Sequence, residues 1–302
     1  MSIIEKTDCA LILDHHLLRD LKYEERFGRL YKKYGKKISF GITTNGTLLD
    51  NDKIAFLKQH NIAVVLSFDG LPECQKYRKF PNGRNSHDIV ATAVKKLATN
   101  KINFTVAMSV TPQCVDKLFA NVLHTINLGA KNIALNKVVD SYKTYTAEQF
   151  QILEEELYKV ADFLLKYPEY NINFISKLAN ANANEKKSRY TCGAAQKSLG
   201  ADIYGNFYPC HRLLYSEFKL GSIYEGLNWN LVSKWRQLDS MTCHKCGLYS
   251  CSICYATNYV RTGDILKIPP EYCIFEKIVH RVADYLRMKR QKAKIVNVFV
   301  RK

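Results

Sequence analysis

ISFGITTNGTLLDNDKIAFLKQHNIAVVLSFDG (38–70) holds two apolar runs, each closed by a glycine turn, with a helix-like stretch between them. ISFGITTNG (38–46) reads as a strand, Asp50 to His60 as a helix, and NIAVVLSFDG (61–70) as a buried strand running into a loop. The strand runs are almost continuously apolar, the pattern of strands covered on both faces. The alternation extends outward in both directions. Upstream, Asp14 reads as the cap of a helix running to Tyr34. Downstream, Ser86 caps a helix to Asn100, INFTVAMSV (102–110) is a strand, Val115 to Leu128 is a helix and NIALNKVV (132–139) is a strand. Thr146-Ala-Glu-Gln149 has the form of a capping box, and Phe150, Leu153, Leu157, Val160 and Leu164 mark one face of the helix it opens. NINFI (171–175) reads as a further strand. Strands alternating with helices argue for an α/β fold with a parallel sheet, and an open doubly wound sheet and a partial barrel fit the pattern equally. In either, ligand groups belong at the C-terminal strand ends. Those ends are Thr43-Thr44-Asn45-Gly46, Ser67-Phe68-Asp69-Gly70, Ser109-Val110-Thr111 and Asn136-Lys137.

The chain of 302 residues is 47% apolar and 24% charged, within the range of ordinary globular proteins. No apolar run is long enough to span a bilayer, and the opening MSIIEKTDCALILDHH is not a signal peptide, so the expected location is the cytoplasm. The net charge of +17 is mostly dispersed, with eight Lys/Arg and one acid between Arg281 and Lys302. No nucleic-acid-binding signature accompanies it, and a solvated basic surface is the simpler reading. An acidic peptide is a natural electrostatic partner for such a surface.

LANANANEKKSR (178–189) is polar and of low complexity, the form of a linker. Beyond it the sequence turns to cysteines, aromatics and short turns, ending in helical spacing at Ile274, Ile278, Val282 and Leu286. Of ten cysteines, Cys9, Cys74 and Cys114 are scattered upstream and read as buried small apolar residues rather than disulfide partners, because the cytoplasm keeps thiols reduced. The other seven are Cys192, Cys210, Cys243, Cys246, Cys251, Cys254 and Cys273. Two CxxC pairs within 243–254 are a strong metal signal, since each pair converges two sulfurs on one centre. Seven thiolates exceed one four-ligand site, so two sites of four and three ligands are the simplest account. Zinc on residues 243–254 and iron–sulfur clusters both satisfy the spacing.

Cys192-Gly-Ala-Ala, Asp202-Ile-Tyr-Gly205-Asn-Phe-Tyr-Pro-Cys210-His-Arg and Phe218-Lys-Leu-Gly-Ser-Ile223 together resemble the SPASM domain of radical S-adenosylmethionine (SAM) peptide-modifying enzymes, of which the anaerobic sulfatase-maturating enzymes are the best known. ISFGITTNGTLLD (38–50), VVLSFDG with Tyr77-Arg78, and INFTVAMSV (102–110) are similar to later strands of that family's barrel, so the resemblance covers about residues 36 to 285. It implies two auxiliary [4Fe-4S] clusters, one on Cys243, Cys246, Cys251 and Cys273, the other on Cys192, Cys210 and Cys254. The family's additional cysteine falls on Ser198, which leaves one iron open. Thr44, Asn45, Ser67 and Arg78 fall on positions that contact SAM, and His211 stands where the sulfatase enzymes place a proposed base, an Asp.

The same resemblance implies a layout of a partial (β/α) barrel at 1–177, a linker at 178–189, an iron–sulfur domain at 190–275, and a C-terminal helix and basic tail at 276–302. CxxxCxxC and GGEP, which hold the SAM-cleaving cluster and contact SAM, occur nowhere in the sequence. The chain alone is therefore expected not to cleave SAM, and to begin near the second barrel helix as a fragment, a split subunit or a degenerate relative. The implied partners are a substrate peptide, for a modification such as thioether crosslinking, and a subunit supplying the missing barrel half. A non-catalytic peptide-binding protein and a structural zinc protein remain as alternatives.

Overall fold

The computed structural model describes residues 9–14, 38–138, 144–180, 192–238, 246, 248, 251 and 253–300. The anticipated helix after Asp14, most of the anticipated linker and Cys243 lie outside them.

Six parallel strands form one sheet in sequence order, β1 (Cys9–Asp14), β2 (Ile38–Thr44), β3 (Ala63–Ser67), β4 (Phe104–Val110), β5 (Asn132–Lys137) and β6 (Asn171–Ile172). Every step is to the adjacent strand, the connectivity of a barrel wall rather than of a doubly wound sheet with a reversal point. The helices between them are α1 (Asn51–Gln59), the short α2 (Pro72–Gln75), α3 (His87–Thr99), α4 (Leu118–Asn127), α5 (Ala147–Lys166) and α6 (Asn173–Asn180). Asp50 caps α1 through Lys53 N, and the capping box at Thr146 and Gln149 forms in both directions. Ser86 flanks α3 without capping it, because its hydroxyl donates to the carbonyl of Arg78 instead.

Three expectations are corrected. Cys9–Asp14 is a strand paired in parallel with β2 from Cys9↔Ile38 to Asp14↔Thr43, so the sheet carries a strand before the TTNG strand. NINFI is a strand only at Asn171–Ile172. The Asn173 side chain accepts from Phe174 N and Leu135 N, which turns the chain into α6 and pins it to β5. Cys74 and Cys114 are joined as a disulfide, with Cα atoms 5.8 Å apart. Cys74 follows β3 and Cys114 follows β4, and the loops after adjacent parallel strands leave the sheet side by side, which brings the two within bonding reach.

The main core lies between the sheet and its helices, with Leu66, Val106, Leu135, Leu153 and Val160 fully enclosed. The last helix, α9 (Pro270–Val300), belongs to it: Ile278, Val282 and Leu286 pack into the same cluster as α5 and α6. Salt bridges and hydrogen bonds from Arg281 to Glu154 and from Tyr285 to Asp162 fasten α9 to α5.

A second, smaller core gathers Ala194, Ala195, Leu213, Leu220, Val232, Trp235 and Tyr255. It is framed by a four-stranded antiparallel sheet of very short strands, β7 (Gly200–Ala201), β8 (Asn206–Tyr208), β9 (Gly221–Ser222) and β10 (Gly226–Leu227), and by helices α7 (Trp229–Arg236) and α8 (Tyr255–Thr262). Gly221 has φ +142°, and a Cβ there would meet Gly226 O at 2.0 Å, so this turn admits no other residue without moving backbone.

Candidate functional site

The loops after β3 and β4 enclose an open cavity of about 310 Å³ at the C-terminal edge of the sheet. Asp69, Tyr77 and Arg78 supply one wall, and Ser109, Thr111 and Gln113 the other, with the Cys74–Cys114 bridge between them. Val138, just past β5, completes the lining.

Asp69 organises this edge. Its carboxylate accepts from Arg78 Nε at 2.7 Å, Arg78 Nη2 at 3.1 Å and Ser109 N at 2.8 Å, tying the two walls together. Arg78 Nη2 also donates to Ser109 Oγ at 2.9 Å. Gln75 is fully buried beneath; its Oε1 accepts from Asp69 N and its Nε2 donates to Ser86 Oγ. Gly70 follows at φ +91°, where a Cβ would lie 2.5 Å from Asn121 Cβ. That close approach lets Asn121 Oδ1 accept from Leu71 N and hold the loop against α4.

The four anticipated SAM-contact residues divide. Arg78 lines the cavity, but its guanidinium is engaged by Asp69 and Ser109. Thr44 Oγ1 accepts from Gly46 N and Asn45 Oδ1 from Thr47 N, so these two side chains shape the β2 turn. Ser67 ends β3, half-buried, and its hydroxyl has no hydrogen-bond partner among the described residues. Asp69 and Ser109 emerge as the organising groups. Both stand in the strand-end segments visible in the sequence, although nothing there marks them as partners.

Three cysteines of the C-terminal part, Cys192, Cys210 and Cys254, pack on the second, smaller core. The Cys192 and Cys254 charges are felt at Cys210, and the Cys254 charge at Cys192. Burial raises the pKa of both Cys192 and Cys210. The N–H groups of Ala194 and Tyr255 at Cys192, and of Arg212 and Leu213 at Cys210, act in the opposite sense by hydrogen-bonding the sulfur. Arg212 Nη1 donates to Cys254 Sγ at 3.4 Å. Gly200 makes this approach feasible, since a Cβ there would lie 2.6 Å from the Cys210 carbonyl carbon. Ser198 turns its hydroxyl back to Gly193 O in the loop that Cys192 opens.

The charges of Cys251, Cys254 and Cys273 are all felt at Lys137, at the end of β5. Cys246 is exposed. Among the described residues no three His, Cys, Asp or Glu side chains converge tightly enough to hold a single ion. Cys243 lies outside them, so the expected four-cysteine set is not seen whole. Half-buried cysteine sulfurs met by backbone N–H groups and an arginine suit an anionic thiolate-bound group such as an iron–sulfur cluster, whose potential is tuned by such hydrogen bonds. The donor set present fits that group.

His211 follows Cys210 at the surface and makes no hydrogen bond among the described residues. Its ring is crowded enough that desolvation first, and the Arg212 charge second, lower its pKa, which keeps it neutral and able to accept a proton near pH 7.

No family model matches the chain. It is 24% identical over 225 residues to the cysteine-type anaerobic sulfatase-maturating enzyme of Clostridium novyi, covering 68% of this chain and 59% of that enzyme. It is also 24% identical over 288 residues to the serine-type anaerobic sulfatase-maturating enzyme of Bacteroides thetaiotaomicron, covering 82% of this chain and 69% of the enzyme. The chain thus spans about six tenths of the length of the Clostridium relative. Among solved structures, native anSMEcpe with bound AdoMet matches with a TM-score of 0.77 at 19% identity, over 94% of this chain and 84% of that one. Streptococcus suis SuiB bound to its precursor peptide SuiA matches with a TM-score of 0.58 at 16% identity, over 87% and 65%. The fold is therefore that of the radical SAM sulfatase-maturating enzymes. No described helix is long and apolar enough to cross a membrane.

Proposed function

We propose that this chain forms part of a radical SAM enzyme that modifies a peptide or protein, and that its cysteine-rich half holds two iron–sulfur clusters. The observation that carries the reading is the gathering of Cys192, Cys210 and Cys254 on one small core, each sulfur met by backbone N–H or arginine donors. Cys246, Cys251 and Cys273, with Cys243, would hold the other cluster. When bound, such clusters carry electrons between a substrate radical and an external acceptor.

The protein's own share is positional. The cavity at the sheet edge takes a polar segment of substrate or cofactor against Arg78, Ser109 and Thr111, with the Ser67 hydroxyl at the neighbouring strand end. Two solved structures of this fold carry peptides, anSMEcpe with Cp18Cys and SuiB with SuiA, which supports a peptide partner. His211, exposed beside Cys210 and with its pKa lowered by desolvation, would take a proton from a substrate near the three-cysteine site. Ser198 in the place of a fourth ligand leaves that site a position for a substrate atom. No CxxxCxxC occurs among the 302 residues, so homolytic SAM cleavage requires a cluster held by other residues, and thioether crosslinking is the finer reading of the modification.

Anaerobic reconstitution with iron and sulfide, followed by metal and sulfide analysis, tests the proposal. We expect about eight irons per chain, falling by about half in Cys192→Ala/Cys210→Ala. Stoichiometric zinc without acid-labile sulfide would replace this reading with a structural zinc site.

A further inference from the structure

Lys137 ends β5 and enters none of the roles above. Its side chain is 6% exposed and forms a salt bridge with Glu276, itself 4% exposed, across from α9. The ammonium lies 3.8 Å from the centroid of Tyr272, 5.5 Å from Phe275 and 5.6 Å from Phe174. A cation so enclosed is costly unless paired and caged, and here it is both. Burial pulls its pKa down to about 7, and the charges of Cys251, Cys254 and Cys273 push it back up. Tyr272 and His280, the latter 2% exposed, are further titratable groups at this seam; His280 Nδ1 bonds the Glu276 carbonyl oxygen and lies 4.0 Å from the Glu276 carboxylate.

Placement gives this pair its meaning. Cys251 and Cys273 are assigned to one ligand set and Cys254 to the other, so one cation is in electrostatic reach of both. The next residue, Val138, lines the sheet-edge cavity. The end of β5 thus borders the cavity and lies within electrostatic reach of cysteines from both sets.

We propose that Lys137 is a positioning residue whose charge, held in place by Glu276 and the Tyr272 ring, sets the electrostatic potential at the sulfurs of Cys251, Cys254 and Cys273, and thereby makes the redox group on them easier to reduce. A nearby positive charge favours the more negative, reduced state. The second half of this statement rests on the iron–sulfur reading; the first does not.

The experiment uses the full chain in two forms. In the metal-free protein, the rate of alkylation by anionic iodoacetate is divided by that for neutral iodoacetamide, cysteine by cysteine, using peptide mass spectrometry. The ratio reports local potential independently of how reactive each thiol is. Lys137→Met lowers it several-fold at Cys251, Cys254 and Cys273 and leaves Cys192 unchanged, whereas Glu276→Gln raises it. In the reconstituted protein, the midpoint potential moves to more negative values in Lys137→Met and to more positive values in Glu276→Gln, with Lys137→Arg close to the parent. Ratios that stay constant, or that move the same way in both variants, overturn the proposal and leave the pair as a packing pin. If the parent binds no iron, the cluster reading falls separately, and the alkylation ratios still decide the role of Lys137.

Discussion

Replacing Asp69 tests whether the cavity edge is held by one carboxylate. The Asp69 side chain is 9% exposed and its Arg78 partner 33%. Asp69→Ala removes three acceptor interactions: two from the Arg78 guanidinium and one from Ser109 N–H. Hydrogen bonds to charged groups contribute about 1.5–3 kcal/mol each when enclosed, but Arg78 is one-third open to solvent, so about 2 kcal/mol is reasonable for the pair. The stranded Ser109 N–H adds about 1 kcal/mol, for a total near 3 kcal/mol. Asp69→Asn keeps an acceptor for Ser109 and costs about 1.5 kcal/mol. Arg78→Ala strands the Asp69 charge and costs about 2 kcal/mol, and the double variant should show a coupling of about 2 kcal/mol.

The assay is urea unfolding followed by far-UV circular dichroism. Tryptophan fluorescence is unsuitable, because Trp229 and Trp235 both lie on α7 beside the second core and report on the other half of the molecule. A cost below about 0.5 kcal/mol for Asp69→Ala, or no coupling with Arg78, would refute the network as the element joining the two walls.

Gly70→Ala should destabilise the barrel half by about 3 kcal/mol, combining left-handed backbone strain with the Asn121 clash, while Gly83→Ala, at φ +81° with nothing within 4 Å, should cost only about 1 kcal/mol in the same urea titration. Reducing the Cys74–Cys114 bridge frees a 40-residue separation and should lower stability by about 2–4 kcal/mol while raising the titratable thiol count by two; an unchanged count shows the pair to be dithiol in solution. His124 has its pKa lowered by burial and by His87, whose Nε2 lies 3.1 Å from its own. Between its ordinary value and the depressed one, the unfolded chain holds a proton that the folded chain does not. Stability is therefore complete above about pH 6.5 and declines as the pH falls below it, and His124→Gln should flatten thermal melts between pH 7.5 and 5.5.

The barrel strands were readable because a parallel sheet with both faces covered writes itself as unbroken apolar runs. The helix at 147–166 announced its start through the reciprocal chemistry of Thr146 and Gln149. Cys9–Asp14 escaped because six residues ending in an Asp look the same as a helix cap until a neighbouring strand pairs with them. The Cys74–Cys114 bond lay beyond sequence reasoning for a different reason: it depends on β3 and β4 being neighbours, which no local pattern encodes. The strand-end segments did contain Asp69, Ser109 and Lys137, yet their connections run across 40 residues in one case and 139 in another. The crowding of seven cysteines into 192–273 was visible in the sequence, whereas the N–H groups that meet Cys192 and Cys210 belong to the backbone and leave no trace in residue type.

The helix that opens at Pro270 presents Cys273 in its first turn and, from Phe275 to Leu286, fills the wall of the barrel core. One helix thus carries a cysteine of the C-terminal cluster in its first turn and serves as a stave along the rest. A graft that carried the cysteine-rich half to another scaffold would have to bring this helix along and would leave the donor barrel with an open seam. Cutting between the two halves would yield two incomplete pieces instead of two independent proteins.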